Sequence, residues 1–202
     1  MDLLETIKTN YSSIADALIK EQTETKGIVA NMTSEMFAAE PVVITSEQLI
    51  SGFDLKEIEA FSRKKNCVYI ITLENENCIS EIRTTFELRK EEKSEHKFQW
   101  NLPKSNGTTS CTLYVGSTQD DLAKRLYQHL GVNLEKQSGS TYALYLSKWW
   151  KKEFPAVKIS AFQFTEASKT QLQFIEDTFS EILKPMFGKR DQIQSKNETF
   201  VK

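Results

Sequence analysis

Five side chains in this sequence have the types and the order that hydrolysis of a phosphodiester can use. Two phenols come first, an arginine and a histidine follow on one helical segment, and a carboxylate comes last: Tyr69, Tyr114, Arg125, His129 and Glu176. The arginine keeps its charge and has a planar fork that suits a phosphate, whereas a histidine moves protons near neutral pH. Each of the five has an ordinary structural explanation when taken alone. Together they predict a hydrolytic site.

The two tyrosines need charged neighbours if one of them is to act as a base. Tyr69 lies in the run Cys-Val-Tyr and Tyr114 in the run Tyr-Val-Gly, and both runs are predicted strands. A phenol has a reference pKa of about 10, so a nearby guanidinium, metal or imidazole must stabilise the phenolate. Arg125 and His129 lie one helical turn apart beside the same apolar stripe. They therefore point the same way and can stabilise that phenolate.

Glu176 lies within the apolar stripe of the last predicted helix. The stripe consists of Leu172, Ile175, Phe179 and Leu183. A carboxylate on an apolar face is costly to bury unless a cation or hydrogen-bond donors meet it. We therefore expect a metal or an arginine beside Glu176. The alternative is that Glu176 lies at the edge of the stripe and reaches water.

The pattern of apolar residues predicts the scaffold that holds these side chains, a small sheet flanked by helices. Short β-branched runs predict strands, and apolar residues at helical spacing predict helices. The predicted strands are 67–72, 113–116 and 157–164, and the predicted helices are 2–22, 54–65, one around 79–86, 118–131, 141–153 and 169–183. The segment 41–44 is ambiguous. Along helix 141–153, we expect Tyr142, Leu146 and Trp149 in the core. The alternative is that Trp149, Trp150, Lys151 and Lys152 form a patch that stacks on bases or binds phosphate. The fold class is α+β, not a doubly wound parallel sheet.

The chain divides into a helical extension, a core and a short tail. Residues 1–65 form the extension, 66–190 form the core with an insertion at about 74–110, and 191–202 form the tail. The extension carries an apolar seam with spacings of three and four, formed by Leu4, Ile7, Tyr11, Ile14 and Leu18. Two heptads are too few for a coiled coil, so packing against the same chain is favoured over a dimer seam.

Charge and cysteine content limit the class of protein. The net charge is -2 and the isoelectric point is about 5.8, so the molecule as a whole does not favour nucleic acid. A local basic stripe can still dominate phosphate contacts. The candidate residues for such a stripe are Lys148, Lys151, Lys152, Lys158, Lys184, Lys189 and Arg190. In the alternative interpretation, they are ordinary solvated side chains. The cysteines form no CxxC pair, and no signal or membrane-spanning run is evident, so we expect a cytoplasmic protein without a membrane anchor.

These residues resemble the GIY-YIG nuclease superfamily over roughly residues 66–190. The run 67–69 stands at the first tripeptide of that family and the run 114–116 at the second. Arg125 stands at the helix arginine and Glu176 at the metal-binding glutamate. The Arg-x-x-x-His spacing looks most like the branch that contains restriction endonucleases. The resemblance implies a small three-stranded antiparallel sheet flanked by helices, and cleavage of DNA with a divalent metal.

The resemblance also implies a role for each of the five side chains. Tyr69 would be the general base toward an attacking water, with His129 assisting that proton transfer, and which of the two accepts the proton stays open. Tyr114 would orient the phosphate or the water. Arg125 would bind the scissile phosphate. Glu176 would hold one hydrated Mg²⁺, or Mn²⁺, that stabilises the leaving oxygen.

Three departures from the family pattern bear on that expectation. Cys67 replaces the glycine of the first tripeptide, which is tolerable where the strand start needs no unusual backbone angles. The insertion separates two strands that the family usually joins by a short hairpin, so it must loop out without disturbing their pairing. Gly188 stands where many members carry asparagine.

The function that these expectations describe is a metal-dependent DNA endonuclease, in the setting of restriction or phage defence. Its substrate would be double-stranded DNA, and cutting both strands of a palindrome would favour a homodimer. Sequence specificity would come from the insertion and from residues 1–65. The alternatives are a catalytically inactive module on the same fold that binds nucleic acid or protein, and a structure-specific repair nuclease.

Overall fold

The structure of the protein is a computed structural model that describes residues 3–52, 55–95, 99–132 and 142–188, with side chains from residue 13 onward. The predicted tail 191–202 and two candidate basic residues, Lys189 and Arg190, lie outside this part. Within the described residues, no helix has both the length and the apolar character that crossing a bilayer requires.

An antiparallel sheet lies at the centre of the described residues. It contains β1 (Val42–Ile44), β2 (Cys67–Leu73), β3 (Thr112–Thr118) and β4 (Val157–Gln163) in the order β1-β4-β2-β3. The α+β class is confirmed, but the prediction of three strands was wrong, because the ambiguous segment 41–44 forms β1 and pairs with β4. Three residues carry too little periodicity to be recognised as a strand, and β1 exists through its pairing with a distant segment.

Five α-helices flank this sheet in the described part of the chain. They are α1 (Leu3–Ala30), α2 (Ser46–Ser51), α3 (Ile79–Ser94), α4 (Leu122–Leu130) and α5 (Lys169–Leu183). The predicted helix 169–183 is confirmed, and α4 begins later than the predicted start at 118 because β3 continues to Thr118. Asp121 caps α4 by accepting hydrogen bonds from the backbone N–H groups of Ala123 and Lys124.

Two predicted helices are wrong. Of the predicted helix 54–65, the described residues 55–65 form only a 3₁₀ helix at Lys56–Phe61. Of the predicted helix 141–153, the described residues 142–153 contain only a 3₁₀ turn at Leu146–Lys148. Tyr145 has a left-handed φ of 48°, which a continuous α-helix excludes. Tyr142, expected in the core, is 62% exposed, whereas Leu146 and Trp149 are buried as predicted. The apolar residues of this segment have helical spacing, but tertiary contacts hold the segment in a loop.

The two faces of the sheet pack against different helices. Tyr69 in β2 belongs to the larger core cluster, which includes the predicted α4 stripe Leu122, Leu126 and Leu130. Its neighbour Val68 belongs to the second cluster, with Leu172, Ile175 and Phe179 of α5. Side chains alternate across a strand, so α4 and α5 cover opposite faces.

The extension joins this core through the second half of α1 and the residues just after it. Thr25 is buried, and Ile28, Val29 and Met32 pack against the α5 cluster. The apolar seam predicted further toward the N-terminus does not pack in this way, since Ile14 is 60% exposed and Leu18 45% exposed. Leu4, Ile7 and Tyr11 lie where side chains are not described. The alternative of a dimer seam stays a prediction.

The segment that follows α5 pairs with the outer edge of β3, and the insertion in turn contacts that segment. The backbone N–H groups of Met186 and Phe187 donate to the carbonyls of Thr112 and Leu113 at 2.8 and 3.0 Å, and Ser105 forms a bridge with Phe187. These contacts pair part of an otherwise open sheet edge. They also leave the pairing of β2 with β3 intact, with Tyr69 opposite Gly116.

Candidate active site

A pocket of about 520 Å³ opens beside β3, where groups from both faces of the sheet meet. Four of the five predicted site residues line it, and the fifth, His129, is fully buried behind Tyr69. The described lining residues are Tyr69, Lys90, Leu102, Pro103, Lys104, Tyr114, Gly116, Ser117, Arg125, Tyr142, Gln173, Glu176 and Gly188. Residues from α4, α5 and the insertion thus converge on one cavity.

The hydroxyl of Tyr69 is the centre of the polar contacts in this pocket. His129 Nε2 lies 2.9 Å from the phenol oxygen, and Arg125 Nε donates to the same oxygen at 3.1 Å. The side chain of Tyr69 is fully buried apart from the pocket that it lines. The structure therefore joins three of the predicted residues by direct hydrogen bonds.

The second nitrogen of His129 determines which tautomer the ring adopts. The backbone N–H of Leu144 donates to Nδ1 of His129 at 3.3 Å, so Nδ1 carries a lone pair and no proton. In the neutral ring the proton is then on Nε2, which donates to Tyr69. Burial, together with the charge of Arg125, holds the pKa of His129 well below its ordinary value. His129 is therefore neutral at physiological pH and acts as a donor to the phenol.

Burial raises the pKa of both phenols in the pocket. The pKa of Tyr69 lies above the ordinary value, and the charge of Arg125 opposes this shift. The pKa of Tyr114 is raised for the same reason and is likewise opposed by Arg125. Both hydroxyls are protonated at neutral pH in this structure. Tyr69 accepts two hydrogen bonds and keeps its own hydrogen for a further acceptor.

Tyr114 and Gly116 shape the space around the Tyr69 hydroxyl. The ring of Tyr114 lies 4.4 Å from that of His129 between centroids and 6.2 Å from that of Tyr69. A Cβ atom on Gly116 would lie 2.6 Å from the hydroxyl oxygen of Tyr69 and 2.7 Å from Cε1 of Tyr114. Such distances are far inside van der Waals contact, so the glycine of the second tripeptide is needed for steric reasons.

Arg125 is held in place by hydrogen bonds within the protein. Besides Tyr69, it donates from Nη1 to the side-chain oxygen of Gln128 at 2.8 Å and from Nη2 to the backbone carbonyl of Tyr142 at 2.9 Å. A guanidinium has five N–H donors, so at least three are committed to orienting the group. Its charge is thereby fixed beside the phenols.

Glu176 reaches the pocket from α5, on the other face of the sheet. Ser117 at the end of β3 donates a hydrogen bond to its Oε2. Its charge acts on both phenols, since it contributes to raising the pKa of Tyr69 and of Tyr114. Half-buried and hydrogen-bonded, it is neither a fully solvated edge residue nor an isolated buried charge.

The residues present fit a hydrated Mg²⁺ or Mn²⁺ rather than a cage of protein ligands. Within the described ranges, no group of three or more His, Cys, Asp or Glu side chains could hold a metal ion. Of the described residues that line the pocket, Glu176 alone carries a carboxylate. Mg²⁺ commonly keeps several waters and binds through one or two carboxylates plus substrate phosphates. The lone carboxylate of Glu176 in an open pocket matches that donor set.

The departures from the family pattern have local explanations. Cys67 is buried in β2 without a left-handed φ, so the glycine of the family pattern is not needed there. Gly188 has a φ of 131°, which a residue with a side chain rarely adopts, and a Cβ there would lie 3.4 Å from the ring of Tyr114. An asparagine at that position would be strained in this backbone.

The sequence did not indicate four polar residues of the pocket as site residues. Lys90 and Lys104 lie in the insertion, Ser117 follows the second tripeptide, and Gln173 is three residues before Glu176 on α5. The spacing of Gln173 and Glu176 is a helical neighbour signal that could have found Gln173. The five candidate basic-stripe residues that are described, Lys148, Lys151, Lys152, Lys158 and Lys184, are exposed and do not line this pocket.

The chain matches no family model, no curated protein and no solved structure. The resemblance noted from the sequence therefore depends on the residues of this chain and on their arrangement.

Proposed function

We propose that the protein is a metal-dependent DNA endonuclease with a GIY-YIG-type site. The observation that supports this most is the phenol of Tyr69, which accepts hydrogen bonds from His129 and Arg125 inside a pocket that Glu176 also lines. A structural tyrosine does not need two such donors beside a carboxylate in an open cavity. Clusters of perturbed titratable groups of this kind are typical of catalytic sites.

Tyr69 would be the proton acceptor. His129 already presents a proton at Nε2 and has its other nitrogen bonded to Leu144, so it has no lone pair free for the attacking water. The phenolate form of Tyr69 would be stabilised by the two N–H groups that already point at its oxygen. The phenolate would take the proton of a water positioned in the pocket, with His129 and Arg125 holding the oxygen in place.

Arg125 and Glu176 would handle the charge of the phosphate. The fixed guanidinium stabilises negative charge that develops in the transition state, at no cost of reorganisation. Glu176 would hold Mg²⁺ or Mn²⁺, which when bound supplies charge stabilisation to the leaving oxygen. Tyr114 would border the phosphate and limit its position.

The substrate we propose is double-stranded DNA, and the setting is restriction or phage defence. A homodimer would cut both strands of a palindrome. The exposed Ile14 and Leu18 of α1 support a second copy as a partner, because they are apolar side chains that the described part of the chain leaves uncovered.

The proposal is tested with a library of varied double-stranded DNA incubated with Mg²⁺ or Mn²⁺, with sequencing of all ends produced. The native chain should cut, and Glu176→Ala should reduce cleavage by a hundredfold or more, as removal of a charge-stabilising group does. Glu181→Ala, which replaces an exposed carboxylate on the same helix, is the matched control. Equal cleavage by both variants, or none by the native chain with either metal, contradicts the proposal.

A second candidate is an inactive module that binds nucleic acid or protein. It is favoured by the raised pKa of Tyr69, since a neutral phenol is a poor base. DNA binding that is independent of metal, without nicking of supercoiled DNA after long incubation at alkaline pH, would favour this candidate over the enzyme.

A further inference from the structure

The wall of the pocket that comes from the insertion carries two lysines without a role in the proposed chemistry. Lys90 lies on α3, and Lys104 lies in the segment that returns to the sheet. Lys104 is exposed and Lys90 is half-buried. Of the described residues that line the pocket, these two and Arg125 are cationic, whereas Glu176 alone is anionic. The lining thus carries a net positive charge in an acidic protein, with the ammonium of Lys90 also lying 3.9 Å from a carboxylate oxygen of Glu87.

Arg125 alone is poorly suited to grip a DNA backbone. Its Nε, Nη1 and Nη2 atoms each donate to a group of the protein, namely Tyr69, Gln128 and the carbonyl of Tyr142. At least three of its five N–H groups are thus committed within the protein, so the guanidinium supplies charge at one fixed place and has at most two N–H groups left for a phosphate. Other cations are needed if the strand is to be held through more than the reacting phosphate.

The insertion holds its two lysines at defined places. The ring of Phe86 on α3 stacks on that of Phe187 with a centroid distance of 3.8 Å. The backbone N–H of Gly188 donates to the carbonyl of Lys104 at 2.9 Å, and that of Asn106 donates to the carbonyl of Met186 at 2.8 Å. The backbones of both lysines are thereby anchored to the strand edge that borders the pocket.

We propose that Lys90 and Lys104 form a phosphate subsite that binds the DNA backbone beside the scissile phosphate. This inference rests on the proposed function and deepens it, because it assigns a binding role to the insertion. A lysine ammonium binds phosphate as a compact point charge on a flexible stem. Such contacts position a strand and carry no sequence information. These two lysines then act as a strand clamp, and any base recognition by the insertion uses other residues.

The test measures how DNA affinity depends on salt in a background that does not cut. Binding of a fluorescently labelled short duplex of mixed sequence is followed by anisotropy with Glu176→Ala protein over a range of salt concentrations. Adding Lys90→Gln and Lys104→Gln should weaken binding at least tenfold at low salt. The slope of log affinity against log salt should shrink by about 0.9 for each phosphate that the protein no longer neutralises.

Matched variants separate this effect from a general reduction of charge or of folding. Lys148→Gln with Lys152→Gln removes two exposed lysines outside the pocket and should leave the slope unchanged. Lys90→Arg with Lys104→Arg keeps both charges and should retain the slope.

Each outcome of this experiment counts for or against the subsite. Equal slopes for the pocket pair and the control pair, or no binding by the Glu176→Ala background, overturn it. Metal-dependent cleavage by the native chain is measured separately. If the native chain cuts DNA and the pocket pair and the control pair have equal slopes, the subsite is ruled out and the nuclease proposal is not. If the pocket pair has a reduced slope and the native chain does not cut, the subsite is supported and the nuclease proposal is ruled out.

Discussion

The backbone N–H of Leu144 donates to Nδ1 of His129 at 3.3 Å, and this one contact decides what the imidazole can do. The ring must present its proton at Nε2, which faces the phenol of Tyr69. A histidine held in this way donates to the phenol through Nε2, and its other nitrogen is occupied by the Leu144 N–H. In the proposed mechanism it would therefore orient the base and would not accept the proton itself.

Trp149 should act on the site through this contact, although it does not line the pocket. Its Nε1 donates to the carbonyl of Leu144 at 2.7 Å and so orients the segment that reaches His129. Trp149→Phe should lower the cleavage rate roughly fivefold to tenfold, because a hydrogen bond of about 1 kcal/mol corresponds to that range. It should also broaden the tautomer distribution of His129, which ¹⁵N NMR of the side chain measures.

Trp150→Phe is the matched control for that prediction. Trp150 is similarly buried, but its Nε1 donates to the hydroxyl of Ser46 at 3.1 Å and not to the segment beside His129. Both variants lose the same ring volume. If they slow cleavage equally with an unchanged His129 spectrum, the positioning role of Trp149 is wrong.

Gly116→Ala should disable the site with a limited effect on the fold. Its Cβ would lie 2.6 Å from the Tyr69 hydroxyl, which must then shift. A displacement of about 1 Å costs on the order of a hundredfold in rate, and overpacking costs about 1–3 kcal/mol of stability. Rates under single-turnover conditions and urea unfolding measure the two effects.

A glycine elsewhere supplies the comparison for Gly116→Ala. Gly27 lies within α1 with nothing within 4 Å of the added Cβ. Gly27→Ala should raise the free energy of unfolding by about 0.5–1 kcal/mol and leave the rate unchanged. A Gly116→Ala protein that cuts as fast as Gly27→Ala would show that the Tyr69 hydroxyl has room to move.

Buried neutral His129 should make the protein less stable in mild acid. Its pKa in the folded state is depressed below the ordinary value near 6.5. The stabilising contribution is therefore complete above about pH 6.5 and declines as the pH falls toward the folded pKa, because only the unfolded chain gains the proton. The free energy of unfolding should fall by up to about 1.4 kcal/mol per pH unit.

Chemical unfolding from pH 7 down to about pH 5, above the range where most carboxylates titrate, isolates this contribution. His129→Gln, which does not titrate, should be less stable at pH 7 and should have a smaller decline across the same interval. Parallel curves for the two proteins would mean that folding does not depress the pKa of His129.

The parts of the fold that local pattern determines were predictable. The stripe of Leu122, Leu126 and Leu130 and the helix around Glu176 are periodic over several turns, and both formed as predicted. Tyr69 and Tyr114 were placed on neighbouring strands because their β-branched surroundings predict strands. The site residues could thus be chosen from sequence before their contacts were known.

The parts that long-range contacts determine were not predictable. The strand Val42–Ile44 is too short to have a period and depends on β4. The aromatic residues from 142 to 150 have helical spacing, yet Tyr145 adopts a left-handed φ in the structure. Lys104 reaches the pocket only because its segment is bonded to Gly188, and nothing local in the sequence indicates that contact.

We propose that Tyr69 is the base. The pH dependence of the cleavage rate, measured under single-turnover conditions with saturating DNA and Mg²⁺, tests this proposal most directly. Since burial raises the pKa of Tyr69, the rate of the native chain should rise about tenfold per pH unit from about pH 6 to 9 without an inflection near 6.5. Tyr69→Phe, which keeps the ring, should cut about 10²–10⁴ times more slowly and lose this dependence. An inflection near 6.5, or a Tyr69→Phe protein as fast as the native chain, would contradict the account.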